Sequence, residues 1–243
     1  MTDLLHSVLA AHGGLDRWQR VASLHANLSL GGPFWASKGW PDVYADQRVT
    51  LDTRSLRIEF EPYPGPGRRS EFTGAPERLD IVDGDGDTLE SRHDPRVTFP
   101  PTEAGHRWDA IQTSYFTSCA VWNYLTEPFV FTYAGVTTQE IAPWTENGET
   151  WRRLAVTFPA NLPNHNPDQV FYYGDDFMLR RMDYQPEVTG IRVAQYTYEP
   201  RTFDGLVFPT KRRVHRRDET GRANKEYTPI TVDIDSIHAS GGR

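Results

Sequence analysis

Residues 114–129 read SYFTSCAVWNYLTEPF. On a helix, Tyr115, Phe116, Cys119, Ala120, Val121, Trp122, Tyr124 and Leu125 leave almost no polar face. An ordinary surface helix is apolar along one stripe only. A helix that is apolar on several sides must meet apolar material on each of them. It lies either in the middle of a large core or against a cavity that holds a greasy ligand. The run is too short, and too polar at its ends, to cross a bilayer.

On both sides of this segment the pattern changes from the helical period to a period of two. Leu24, Ala26, Leu28 and Leu30 alternate with polar residues, as do Val43, Ala45, Val49 and Leu51, and then Leu56, Ile58 and Phe60. Such alternation marks half-buried antiparallel strands. Turn chemistry separates them at Gly31-Gly32-Pro33, Asp52 to Ser55, Pro62 to Gly67 and Asp83 to Gly86. After the insert, strands are expected at 151–158, at 169–173 paired with 178–184 across Gly174-Asp175-Asp176, and at 191–203, 206–217 and 229–237. Before the first strand, Leu4, Leu5, Val8 and Leu9 have helical spacing, and Gly13-Gly14 interrupts the helix.

The expected architecture is mainly β with helices, an α+β fold. A curved antiparallel sheet or incomplete barrel of about 10–11 strands carries an N-terminal helix and a helical lid or plug. Nothing divides the chain, so 1–243 is expected to form a single domain. Its parts are the N-terminal helix (1–21), first strands (24–100), helical insert (105–127) and second strands (150–237).

Composition narrows the function. The 243 residues are 37% hydrophobic and 12% aromatic, enough for a sizeable core biased toward rings. The formal charge of −7 argues against nucleic acid or an anionic membrane as partner. The run Lys211 to Arg217 is locally basic and reads as the solvated face of an edge strand. A lone cysteine, Cys119, indicates no oxidising compartment. The N-terminus lacks the pattern of a secretory leader and no transmembrane stretch is present, so a cytoplasmic location without membrane insertion is expected.

Residues 196–215, YTYEPRTFDGLVFPTKRRVH, combine a strand, a Phe-Asp-Gly turn, Phe-Pro and a second strand. With AHGGLDRWQRVASLHA at 11–26 and the helix–strands–insert–strands layout, they resemble the LolA and LppX-type lipoprotein-carrier superfamily. The runs FWASKGWPD, WNYLTEPF and LRRMDY also resemble a group of bacterial proteins. The resemblance implies an incomplete antiparallel barrel with helices as a lid over an apolar cavity, and it implies no particular cargo.

Cofactor and metal motifs are missing from the sequence. Asp83-Gly-Asp85-Gly-Asp87 has Thr88 and Asp94 where a calcium loop needs glycine and glutamate, so it reads as a hairpin turn. The eight histidines form no metal-ligand spacing. No nucleophile elbow, phosphate loop or dinucleotide fingerprint occurs. Neither a metal nor a cofactor is therefore expected.

Acid–base groups remain. His165, in NLPNHNPDQ, is either a base whose tautomer a neighbour fixes or an exposed loop residue. Asp183 and Tyr184 on one strand point to opposite faces, so only one can face a cavity; Asp183 is otherwise an ion-pair partner for a nearby arginine. Lys38, among Phe34, Trp35 and Trp40, is either a base of lowered pKa or a snorkelling side chain whose stem covers the rings. Trp35, Trp40, Tyr115, Cys119, Trp122, Asn123, Tyr124 and Tyr184 are candidate ligand-binding residues, because rings with a few polar handles make an orienting apolar pocket. The sequence thus leads to a protein that binds a small apolar or aromatic molecule. Two alternatives stay open: a cofactor-independent lyase, isomerase or hydrolase using the same cavity, and a lipid or lipoprotein carrier.

Overall fold

A computed structural model of the protein describes residues 3–101 and 106–241. The alternating segments form β1 (Val21–Gly31), β2 (Gln47–Asp52), β3 (Arg57–Glu61), β4 (Arg68–Gly74), β5 (Glu77–Asp83) and β6 (Thr88–His93) before the insert. After it come β7 (Thr137–Glu146), β8 (Glu149–Thr157), β9 (Asp168–Tyr173), β10 (Leu179–Tyr184), β11 (Val193–Phe203), β12 (Leu206–Arg216) and β13 (Ile230–Gly241). The helices are α1 (Leu4–Ala11), α2 (Leu15–Trp18), α3 (Pro33–Lys38) and α4 (Ala110–Thr126).

All 13 strands belong to one antiparallel sheet in the order β6-β5-β4-β3-β2-β1-β13-β12-β11-β10-β9-β8-β7. The sheet is curved and unclosed. Its edges, β6 and β7, are the strands on either side of the insert in sequence, so the chain through α4 links one edge to the other. Both edges carry polar sequences, TLESRH and TTQEIAPWTE. Charge and an edge proline discourage pairing with another chain.

The α+β incomplete barrel expected from the sequence is present, with four corrections. There are 13 strands rather than 10–11, because β7 and one of the strands before the insert have weak alternation. Val21, placed in the N-terminal helical region, opens β1, while the break expected at Gly13-Gly14 divides that region into α1 and α2. A short helix, α3, occupies FWASK inside the first strand region. It begins at Pro33, which suits the first helical position, and ends at Gly39 with φ 96°. Finally, the basic run lies on β12, paired on both sides by β11 and β13. Its alternate residues reach opposite faces, so Arg212 is buried in the core and Lys211 and Arg213 are half-exposed.

The two motifs behind the family resemblance meet in space. Val207 N–H donates to the His12 carbonyl at 3.1 Å. A Cβ on Gly13, whose φ is 112°, would overlap the Gly205 carbonyl oxygen. Glycine there lets the end of α1 lie directly on the β11–β12 turn.

The insert is the centre of the fold. Asp109 and Gln112 cap α4 reciprocally: the Asp109 carboxylate accepts from Gln112 N–H at 2.8 Å, and the Gln112 side-chain oxygen accepts from Asp109 N–H at 3.0 Å. Pro128 follows Glu127 and stops the helix. Every residue from Ile111 to Thr126 is buried. The C-terminal end is pinned by Arg212, whose guanidinium donates to the Glu127 carboxylate at 2.5 Å and the Tyr124 carbonyl at 3.0 Å. It also lies 4.4 Å from the Tyr124 ring centre. Both partners of this ion pair are buried. Burial pushes the Glu127 carboxyl up, and Arg212 opposes that shift.

Removing one partner of such a pair leaves an uncompensated buried group, at a cost of about 3–5 kcal/mol. Arg212→Met is expected to lose stability of that order in urea unfolding. The Arg212→Met/Glu127→Leu double variant should recover most of it. A double variant no more stable than the single one would show that the pair itself does not govern the loss.

Candidate functional site

One end of the strands around the sheet's centre meets α3 and α4 and leaves an apolar pocket of about 260 Å³. The register of the strands builds one wall: Tyr184 on β10 pairs with Val193 on β11, which pairs with Arg216 on β12, and Val214 on β12 pairs with Ile230 on β13. These side chains share the concave face. The segments 186–191 and 227–229 supply Pro186, Thr189, Ile191, Tyr227 and Pro229. From the helices come Phe34, Ser37 and Lys38 on α3, and Phe116 on α4. A hydrogen bond from Phe34 N–H to the Pro229 carbonyl, 3.0 Å, joins the two sides of the rim.

Stacked rings hold the floor. Phe34 lies 5.4 Å from Phe116, Phe116 lies 4.4 Å from the His165 ring, and His165 stacks on Tyr184 at 5.4 Å. The Tyr184 hydroxyl is 3.1 Å from that of Tyr124 and donates to the Gln195 side-chain oxygen at 3.4 Å. The polar handle of the pocket wall is thus tied back into the core.

The structure separates the three acid–base candidates. Lys38 lines the pocket, half-buried, with its ammonium 4.5 Å from the Trp108 ring centre and 5.6 Å from that of Phe34. It donates to the His106 carbonyl at 3.4 Å, and burial lowers its pKa. His165 is buried behind Phe116 and Tyr184 rather than exposed in its loop. Burial, with the Arg96 charge adding to it, lowers its pKa to about 3. Asp183 lies on the outer face, opposite Tyr184. There it accepts two hydrogen bonds from Arg181, at 2.6 and 2.8 Å, and one from Tyr172 at 2.9 Å. No chemistry can draw on all three together.

Of the ligand-binding candidates, Tyr184 lines the pocket. Trp35, Trp40 and Trp122 instead donate their indole N–H groups to the carbonyls of Gly31, Trp108 and Asp52, at 3.2, 2.8 and 2.9 Å. Tyr115 accepts from Arg96 at 2.8 Å, and Asn123 donates to Gln169 at 3.3 Å. Burial pushes the Cys119 thiol up to about 12, so it is a neutral thiol inside the core. These side chains pack α4 and α3 against the sheet. Phe34, Phe116, Ile191, Val193, Val214 and Ile230 were not among the ligand-binding candidates, because an apolar side chain, aromatic or aliphatic, carries no mark in the sequence that tells core from pocket wall.

No protein-family model matches the sequence, and no curated protein does. Solved structures do. A LolA superfamily protein from Nitrosomonas europaea superposes with a TM-score of 0.53 at 11% identity, covering 100% of this chain and 96% of that one. A domain described as an outer membrane lipoprotein-sorting protein, from Vibrio parahaemolyticus, gives 0.52 at 9% identity, over 96% of this chain and 94% of its own. A DUF1329 family protein from Desulfovibrio piger gives 0.51 at 10% identity, over 100% and 95%. The fold is LolA-like, as the motifs at 11–26 and 196–215 imply.

The buried His165 gives a pH signature. The unfolded chain protonates it near the ordinary value of about 6.5, and the folded chain holds it neutral down to about 3. Between these values the unfolded state binds more protons. Stability is therefore undiminished above about pH 6.5, falls as pH drops toward 3, and levels off below. His12, also lowered by burial, adds to the slope. His165→Phe keeps the ring stack and removes its share. In urea unfolding at about pH 4.5 the variant is expected to lose less of its neutral-pH stability than the parent, by on the order of 2 kcal/mol. Equal losses would mean that His165 is accessible to protons in the native state.

Proposed function

We propose that the protein binds one small, largely apolar molecule in the pocket between α3, α4 and the ends of β10–β13. The observation that supports this most directly is the lining itself. Aliphatic and aromatic side chains from two helices, four strands and two connecting segments converge there, with a few polar groups placed among them. That is the composition of a small-molecule site. The LolA-like fold is in keeping with it, since the Vibrio relative is described as a lipoprotein-sorting domain. A volume of about 260 Å³ lies just below the roughly 300–1,000 Å³ of drug-sized ligand sites. It favours a compact molecule over an acylated protein as cargo.

The reading makes the ligand recoverable. Native mass spectrometry of the purified protein, before and after denaturing extraction, is expected to release a defined small molecule. Ile191, half-buried on the pocket wall, offers a way to fill the space: Ile191→Trp should abolish that release while the thermal midpoint shifts by only a few degrees. Equal ligand retention in parent and variant would move the binding site elsewhere. A parent mass equal to the bare chain, unchanged after incubation with apolar metabolites, would overturn the proposal.

A further inference from the structure

Among the described residues, the pocket is lined by two cations and no anion. Lys38 and Arg216 reach it from α3 and β12, and neither Asp nor Glu is among its lining residues. This stands out in a chain of formal charge −7. Several buried and half-buried arginines are matched to carboxylates, Arg181 to Asp183 and Glu146, Arg212 to Glu127, Arg96 to Glu187, Arg213 to Asp233, whereas half-buried Arg153 has a carbonyl and two ring faces instead. Among the described residues, Lys38 and Arg216 have no ion pair. The Lys38 ammonium has only the His106 carbonyl and two ring faces, and the Arg216 guanidinium sits exposed with no hydrogen bond. Holding a half-buried lysine beside apolar walls without a counter-charge costs free energy that a bound anion would return.

We infer that the ligand is a small amphipathic anion, with an apolar body inside the pocket and one anionic head held between Lys38 and Arg216. This rests on the pocket reading above and adds the charge of the ligand to it. The site's parts divide the recognition. Val193, Val214, Ile230 and Phe116 take the body, and the Tyr184 hydroxyl is occupied within the core. The ammonium and guanidinium provide donors that suit a carboxylate or a comparable oxyanion. At the roughly 30 Å³ that each water molecule occupies in the liquid, the pocket holds about nine non-hydrogen atoms. A medium-chain or single-ring carboxylate has that size.

The test compares octanoate, octan-1-ol and octylamine, which share a chain and differ in head charge, by isothermal titration calorimetry on the intact protein. Octanoate is expected to bind about tenfold or more tighter than octan-1-ol, as a charge-assisted hydrogen bond implies, and octylamine the weakest. Lys38→Met and Arg216→Met should each weaken octanoate about tenfold and leave octan-1-ol within about twofold. High salt should narrow the gap between the two probes. Octan-1-ol binding as tightly as octanoate, or unchanged octanoate affinity in both variants, would overturn the anion inference while leaving the apolar pocket intact. If none of the three probes binds the folded protein, the pocket reading fails and this inference with it.

Discussion

A fully buried helix between the two edges of an open sheet is the constraint on which this fold depends. The residues of α4 from Ile111 to Thr126 have no solvent face. The sheet must therefore wrap the helix, and β6 and β7 stay unpaired with each other at the two ends of the strand order. An up-and-down barrel removes its edges by closing. Here the edges stay apart and are protected by polar strands, and the helix supplies the apolar surface that the opposite wall of a closed barrel would have provided.

Burying a helix on all sides also buries whatever polar groups it carries, and these must be matched. For three of them the protein does this with pairings between α4 and the strands that surround it, while the Ser118 hydroxyl is buried without a hydrogen-bond partner. Asn123 meets Gln169, Tyr124 meets Tyr184, and Glu127 meets Arg212. On the outer face a second fully buried arginine, Arg181, is held by Asp183 and Glu146 and lies 5.0 Å from the Tyr172 ring centre. Each buried charge has a counter-charge within hydrogen-bond reach, as low-dielectric surroundings require. The two unpaired cations of the pocket are therefore unlike the buried ones, and their setting differs as well, since they stand where protein gives way to solvent.

The pocket is what remains after α4 has filled the concave face. It forms at the end of the strands, where α3 and the segment before β13 cannot follow the helix any further. Rings give its floor a fixed shape, because Phe34, Phe116, His165 and Tyr184 are each stacked on a neighbour. With His165 sealed behind this layer and Asp183 on the far face of the sheet, the rim is left to Lys38 and Arg216. The geometry is suited to holding a molecule by shape and charge.

The sequence by itself determined the strand-and-insert layout, because side-chain alternation is a local property of extended backbone and appears directly in Leu24 to Leu30 or Leu56 to Phe60. It also determined that α4 is buried, since no face of 114–129 could be left in water. It carried the two segments behind the resemblance without showing that they meet, with Gly13 against Gly205. Only the tertiary structure decided which greasy residues form core and which form a wall. Trp35, Trp122 and Tyr115 have the same chemistry as Phe34, Phe116 and Tyr184, and their roles differ by where helix and strand meet. Register made the same choice for charge. One residue's step along β10 sends Asp183 outward and Tyr184 inward, and pairing across β10, β11 and β12 brings Arg216 to the rim that Lys38 reaches from the other half of the chain. Facing is set by contacts between residues far apart in sequence, and no local pattern encodes it.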